Sequence, residues 1–260
     1  VICSDKTGTL TKNEMTVKEI FCANQKVIVS GVGYDPSGKI QSKDLKTIIH
    51  SIEWLMNVAV LCNNSELIKE GNGWKILGDP TEGALLTLAE KSPFTLEKIK
   101  QKFEKIAEIP FDSKRKRMTV IVQSSENGEY VALTKGAPDS VIEVCTHFLK
   151  DTKEALFSSK DKTETLGENE KMAKKALRGL GFAYKHIEKK DIEQWKKTKK
   201  IPHDIVEKNL TFIGLVGMID PPRPEVLEAV NMAHKAGIRT YIITGDHGLT
   251  AAAIAKELGI

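Results

Sequence analysis

The apolar positions change period several times along the chain, and each period predicts a different element. Residues 1–4 open directly as an apolar run suited to a buried strand. Residues 15–22 and 26–30 alternate apolar and polar side chains about a short Asn-containing turn, the pattern of two antiparallel strands. From about residue 44 to 62 the period lengthens, and Leu45, Ile48, Ile49, Ile52, Leu55, Met56 and Ala59 line one face of a predicted helix. Asp79 and Pro80 start a second helix over 81–91. Residues 118–123 and 130–134 flank Asn127-Gly128, the strongest hairpin cue in the chain. Helices are expected at 138–145 and 171–180, then a strand at 181–186, while the very polar stretch 150–170 reads as a mobile surface loop.

The rhythm changes near the end. Strand 212–218, helix 224–236, strand 239–244 and helix 249–258 alternate as βαβα, which predicts a parallel, doubly wound sheet. The opening strand, ending in Ser4-Asp5, suits that sheet better than the antiparallel middle. The expected fold class is therefore α/β: a doubly wound domain made from residues 1–13 and 220–260, with an α+β domain built on an antiparallel sheet inserted at 14–219. The stiff Asp220-Pro221-Pro222-Arg223-Pro224 stretch is the expected hinge at the return crossing. Both ends are abrupt, so the chain is expected to be part of something longer.

Composition narrows the function. With 260 residues, 40% hydrophobic and 28% charged, the chain is globular rather than disordered. Its net charge of +4 is too small to coat nucleic acid, so any bound anion must be held locally. Cys3, Cys22, Cys62 and Cys145 form no CxxC pair and read as reduced, mostly buried thiols in a cytosolic setting. No apolar stretch approaches the roughly 20 residues of a membrane helix, so direct membrane insertion is not expected.

Chemistry gathers at two predicted strand ends, where open α/β sheets collect ligands. Asp5 is a potential carboxylate nucleophile; Lys6 adds charge, and Thr7, Gly8 and Thr9 supply hydroxyls and backbone NH groups for a phosphate. The second strand ends in Thr244-Gly245-Asp246, again hydroxyl, glycine and carboxylate. For either carboxylate alone, capping a turn or helix is an equally good reading. Three other features have plainer readings. Gly33 to Lys39 has P-loop spacing, but Ile40 stands where such a loop needs Ser or Thr. Lys114-Arg115-Lys116-Arg117 looks like a nucleic-acid patch but is expected to face nucleotide phosphates or solvent. The lysines at 189, 190, 196, 197, 199 and 200 are expected to form a solvated helix face.

The stretch Cys3-Ser4-Asp5-Lys6-Thr7-Gly8-Thr9-Leu10-Thr11 resembles the phosphorylation motif of P-type ATPases, the phosphoenzyme-forming ion pumps. Gly78-Asp79-Pro80-Thr81-Glu82, Lys135-Gly136-Ala137-Pro138, Met218 to Arg223 and Ile243 to Asp246 resemble further motifs of that family in the right order, most like its calcium-pump branch. The resemblance implies a haloacid-dehalogenase-like phosphorylation domain, incomplete here, carrying an inserted nucleotide-binding domain. Asp5 is then expected to attack the γ-phosphate of ATP and become an aspartyl phosphate, with Mg²⁺ held by the Asp5 carboxylate and the Thr7 carbonyl. Lys6, Thr244 and Gly245 are expected to hold phosphoryl oxygens and Asp246 to organise the site.

For the inserted domain, the resemblance implies that Phe111 stacks on the purine while Glu82, Lys116, Met118, Lys135, Gly136 and Arg178 line the pocket, with Asp220 and Arg223 also assigned to nucleotide. Calcium pumps often carry Arg two residues after the Phe, where Ser113 stands; Lys114, Arg115 or Arg117 is expected to substitute. Expected partners are ATP or ADP and the actuator and transmembrane parts of the same pump. The expected location is the cytoplasmic side of a membrane, with the piece itself soluble. The alternatives are a free-standing phosphatase or phosphotransferase of the same fold, against which Thr7 and the insertion argue, and a nucleotide-binding module without turnover.

Overall fold

In a computed structural model that describes residues 1–42, 44–71, 73–150, 152–198, 201–245 and 248–260, the chain begins with β1 (Ile2–Asp5) and an irregular turn at Lys6–Leu10. There follow β2 (Thr16–Cys22), β3 (Gln25–Val29), β4 (Ile40–Gln41), α1 (Ile49–Leu61), β5 (Glu66–Glu70), β6 (Gly73–Leu77), α2 (Pro80–Glu90) and α3 (Leu96–Lys102). Next come β7 (Phe103–Asp112), β8 (Arg117–Ser124), β9 (Tyr130–Gly136), α4 (Pro138–Val144), β10 (Cys145–Lys150), β11 (Lys153–Leu156), α5 (Ser159–Ala173) and β12 (Arg178–Ile187). The chain closes with α6 (Lys189–Thr198), α7 (His203–Val206), β13 (Leu210–Ile219), α8 (Pro224–Lys235), β14 (Thr240–Ile243) and α9 (Gly248–Leu258).

A large sheet in the order β4-β3-β2-β13-β12-β9-β8-β7 dominates the middle, antiparallel along this path. Over its first residues β13 also takes β10 as a parallel neighbour, and β10 carries β11. Side chains alternate across the pleat, and both faces are covered. Val120 and Val122 of β8, Val131 and Leu133 of β9, and Phe182 of β12 pack on one side with Ile52, Leu55 and Met56 of α1 and Leu85 and Leu88 of α2. Their alternates face the other way. Ala183 meets Val141 of α4 and Met172 of α5, while Ile121 and Ala132 meet Ile192 of α6 and Val206 of α7. Burial on both faces explains why residues 212–219 of β13 form an unbroken apolar run. The β2–β3 turn is fixed by Ala23 and Asn24, whose φ values of 47° and 59° belong to a two-residue type I′ hairpin.

The stretch 150–170, read as a loop, holds β11 and most of α5; Asp151 lies outside the described residues. The helix was hidden by its polarity, since only Thr165 and Met172 of α5 are buried. Its start is a capping box: the Ser158 hydroxyl accepts from the Asp161 backbone at 3.2 Å, and the Asp161 carboxylate accepts from the Ser158 N–H at 3.0 Å. The helix expected at 171–180 is corrected as well. The chain leaves the helical path at Ala176, with φ 59°, and enters β12 at Arg178. Lys189, Lys190, Lys196 and Lys197 do lie exposed on α6, while Lys199 and Lys200 lie outside the described residues. Cys22, Cys62 and Cys145 are buried and Cys3 is exposed.

Strands β1 and β14 pair in parallel as a separate two-stranded sheet, with Leu10, Ile254 and Leu258 in a small core beside Val226 and Ile242. The chain passes between this sheet and the large one twice. The crossings are tied together by a Thr11–Pro222 bridge and by Lys12 N–H donating to the Pro221 carbonyl at 3.1 Å.

Candidate functional site

A cavity of about 580 Å³ opens beside α2, β8, β9 and the first residues of β12. It is lined by Glu82, Phe111, Lys116, Met118, Lys135, Gly136 and Arg178, which lie up to 96 positions apart in sequence. The register explains part of the convergence. Met118 stands opposite Lys135 and Arg117 opposite Gly136 in the β8–β9 ladder, so Met118 and Lys135 share one face. Glu82 occupies the first turn of α2. That turn is capped by the Asp79 carboxylate, which accepts from the Thr81 and Glu82 N–H groups at 2.8 and 3.1 Å, with Pro80 pre-set at the first helical position. Gly136 is required by close approach: a Cβ there would lie 2.4 Å from the Lys116 carbonyl oxygen.

Inside the cavity, the Lys135 ammonium is buried and pairs with Glu82 Oε1 at 2.6 Å. The other Glu82 oxygen accepts from the Asn64 N–H at 2.9 Å and the Ser65 hydroxyl at 3.3 Å. This arrangement keeps a desolvated cation in place. Burial alone would push the Glu108 carboxyl up, but hydrogen bonds from Lys105 and Asn64 outweigh it and hold it below its ordinary value. The Arg178 guanidinium reaches the Thr81 hydroxyl at 3.4 Å. Phe111 stands at the lip, 62% exposed, while Met118 and Leu85 are buried beneath. The carboxylates in the lining are already engaged, Asp79 by the α2 cap, Glu82 by Lys135 and Glu108 by Lys105. A flat ring at the lip, an apolar floor and the Lys116 and Arg178 cations therefore suit a ligand that is aromatic at one end and anionic at the other. Cys62 lies under the floor, its Sγ donating to the Met118 carbonyl at 3.5 Å; burial pushes its thiol up to about 11, so it is no nucleophile at neutral pH.

Glu108 and Asn64 were not singled out from the sequence and carried no signal there; Thr81 stood within the Gly78 to Glu82 motif but was given no role in the site. The expected substitute for an Arg at Ser113 is corrected in part. Arg115 and Arg117 both bind Glu207 behind the sheet, on the side of α7, and neither lines the cavity. Lys116 is the member of that basic run that does.

The second group of candidates lies at the ends of β1 and β14. Asp5 pairs with Ile243 across the parallel ladder, so Asp5 and Thr244-Gly245 leave the same edge of the small sheet. Asp5 is exposed, whereas Lys6 is buried. Asp246 lies outside the described residues. The turn after Asp5 closes on itself: the Lys6 carbonyl accepts from the Thr11 N–H at 3.0 Å and the Thr11 hydroxyl at 3.1 Å, and Gly8 takes φ 77°. Asp220 and Arg223 do not line the cavity; they brace the crossings. Asp220 accepts from the Thr11 hydroxyl and, at 3.2 Å, from the Glu14 N–H, and Arg223 donates to the Gly8 carbonyl at 3.0 Å. Among the described residues no three His, Cys, Asp or Glu side chains gather as a metal cluster. An exposed carboxylate with a neighbouring carbonyl is a hard-oxygen pair, which fits Mg²⁺ taking its remaining ligands from water and phosphate.

The family profile described as P-type ATPase, cytoplasmic domain N, matches residues 51–225. A calcium-transporting ATPase of Bacillus subtilis is 41% identical over 261 residues, covering 99% of this chain and 28% of that protein. The cation-transporting ATPase pma1 of Synechocystis is 38% identical over 268 residues, covering 100% and 28%. A calcium-transporting ATPase of Lactococcus lactis is 39% identical over 260 residues, covering 100% and 26%. The chain thus spans little more than a quarter of the length of these relatives. Among the described residues no helix is long and apolar enough to cross a membrane.

Proposed function

This chain belongs to the P-type ATPases, and from that premise we propose that it is the ATP-binding and phosphate-accepting portion of a cation pump, acting on the cytoplasmic side of a membrane and transporting calcium. The observation that carries the reading is that Glu82, Phe111, Lys116, Met118, Lys135, Gly136 and Arg178 line one and the same cavity. The purine stacks on Phe111 over Met118, and the Lys135 ammonium, steadied by Glu82, faces the ring nitrogens. Lys116 and Arg178 meet the phosphates, which extend toward the small sheet.

Residues 1–13 and 220–260 then form the phosphorylation domain, haloacid-dehalogenase-like in fold, and 14–219 the inserted nucleotide domain. An Asp5 carboxylate oxygen forms a bond to the γ-phosphorus while the bond to the bridging oxygen breaks in line, and ADP leaves with that oxygen. Lys6, Thr244, Gly245 and Asp246 hold or organise the transferring group. Asp5 and the Thr7 carbonyl supply protein oxygens to the Mg²⁺ of Mg-ATP, which neutralises phosphate charge when bound. Two residues after the nucleophile, Thr7 offers no acid or base to assist hydrolysis, which supports a phosphoenzyme that persists and argues against a phosphatase.

The test is labelling of the full-length pump in membranes with γ-labelled ATP. An acid-stable, hydroxylamine-labile label that depends on Asp5 and vanishes in Asp5→Asn supports the proposal. Equal labelling of Asp5→Asn overturns it.

A further inference from the structure

Behind the sheet, directly under the lip that carries Phe111 and Lys116, sits a carboxylate that the proposed chemistry does not use. The Glu207 side chain is 1% exposed. It follows α7, next in the chain to Val206 of the buried apolar cluster, and is itself buried, so its charge has no water to lean on. Its partners are all on the lip or the strand leading from it. Arg115 donates to Oε1 and Oε2 at 2.5 and 2.6 Å, Arg117 Nε donates to Oε2 at 2.9 Å, and the Thr119 hydroxyl donates to Oε1 at 2.8 Å.

The arginines carry this anchor onward into the backbone. The other terminal nitrogen of Arg115 donates to the Pro110 carbonyl at 2.7 Å, one residue before Phe111. The Arg115 carbonyl is itself held by the Ser140 hydroxyl, which also accepts from Arg117 at 3.0 Å. Lys116 lies between the two anchored arginines in the left-handed region, with φ 50°. Its N–H donates to the Asp112 carbonyl at 2.6 Å, and its carbonyl accepts from Ala137 N–H at 2.9 Å, next to Gly136. A lysine holds that conformation only when its surroundings over-determine it.

We infer that Glu207 is a positioning residue for the nucleotide cavity: through Arg115 and Arg117 it sets the conformation of the 110–116 lip, and so the places of Phe111 and Lys116, without touching nucleotide. This rests on the reading of the cavity as an ATP site. It assigns the two arginines that do not reach the cavity a part in shaping it, and it explains how an exposed aromatic at the end of a hairpin is held ready rather than left to wander.

The experiment uses this chain in four forms: unaltered, Glu207→Gln, Arg115→Lys and Ile192→Ala. The last disturbs the same apolar cluster through α6 without touching the lip. ATP affinity is read by calorimetry well below each melting temperature, and amide exchange is followed at Lys116 and Ala137 against Val120 and Val122. Glu207→Gln and Arg115→Lys are expected to weaken ATP by about tenfold and to lose protection at Lys116 and Ala137 alone, with Ile192→Ala binding as the unaltered chain does. Arg115→Lys keeps the charge and one contact, so it serves if Glu207→Gln does not fold. Unchanged affinity and protection in both lip variants, or equal weakening by Ile192→Ala, overturns the inference. If the unaltered chain binds no ATP, the reading of the cavity fails, and the inference falls with it whatever the exchange shows.

Discussion

Phe111 leaves well over half its surface in solvent at the cavity lip, so the fold gains little from it. Phe111→Ala is accordingly expected to change unfolding free energy by no more than about 0.5 kcal/mol while weakening ATP by about tenfold, the scale of losing one base–aromatic stack. A thermal melt and a calorimetric titration check the two halves. Lys135 behaves oppositely. Its ammonium is buried against Glu82, so Lys135→Ala leaves a poorly solvated carboxylate and is expected to cost about 2–4 kcal/mol, with part of it restored by adding Glu82→Gln. Chemical denaturation of the two single variants and the double variant measures that coupling; strict additivity would mean that the pair contributes nothing.

Among the elements, α5 is held to the large sheet by charge as well as by Met172. Glu19 of β2 meets Lys175, just past α5, at 2.7 Å and Lys26 of β3 at 3.0 Å. Burial opposes the charged carboxylate, yet the two lysines outweigh it and hold its pKa below the ordinary value. A carboxyl depressed in the folded state contributes stability above its unfolded pKa of about 4.3 and loses it as pH falls through the lower folded value. Glu19→Gln is therefore expected to lower the melting temperature at neutral pH and to narrow its gap from the unaltered chain as pH drops below about 4.

The same element shows where sequence pattern stops. Periodicity found the helix that contains α1, the Asp79-Pro80 start found α2, and the Asn127-Gly128 turn found the β8–β9 hairpin. Periodicity missed α5 because its polar surface carries no stripe, although Ser158 and Asp161 spelled the capping box that starts it. It missed the β5–β6 hairpin, whose strands are largely exposed. For the cavity, two family motifs held Glu82 and Lys135, and the family resemblance as a whole brought Phe111, Met118 and Arg178 to attention. The partners Asn64 and Glu108 meet through sheet register and helix packing, which no local pattern encodes.

At the scale of the whole molecule, two chain crossings link the small parallel sheet to the large antiparallel one. The Asp220 carboxylate ties them, holding Thr11 and Glu14 of the outgoing strand from a position at the start of the returning one. Asp220→Ala removes that tie, and amide exchange is expected to quicken in β1 and β14 by more than in β8 and β9, whose pairing it does not touch. Uniform quickening throughout would show that the two sheets open as one unit. That the cavity is the nucleotide site is tested most directly by a calorimetric titration of this chain with ATP beside Phe111→Ala and Lys135→Ala. Saturable one-site binding, weakened in both variants, is the predicted result; a folded chain that takes up no ATP at millimolar concentration, or variants that bind as tightly as the unaltered chain, would contradict it.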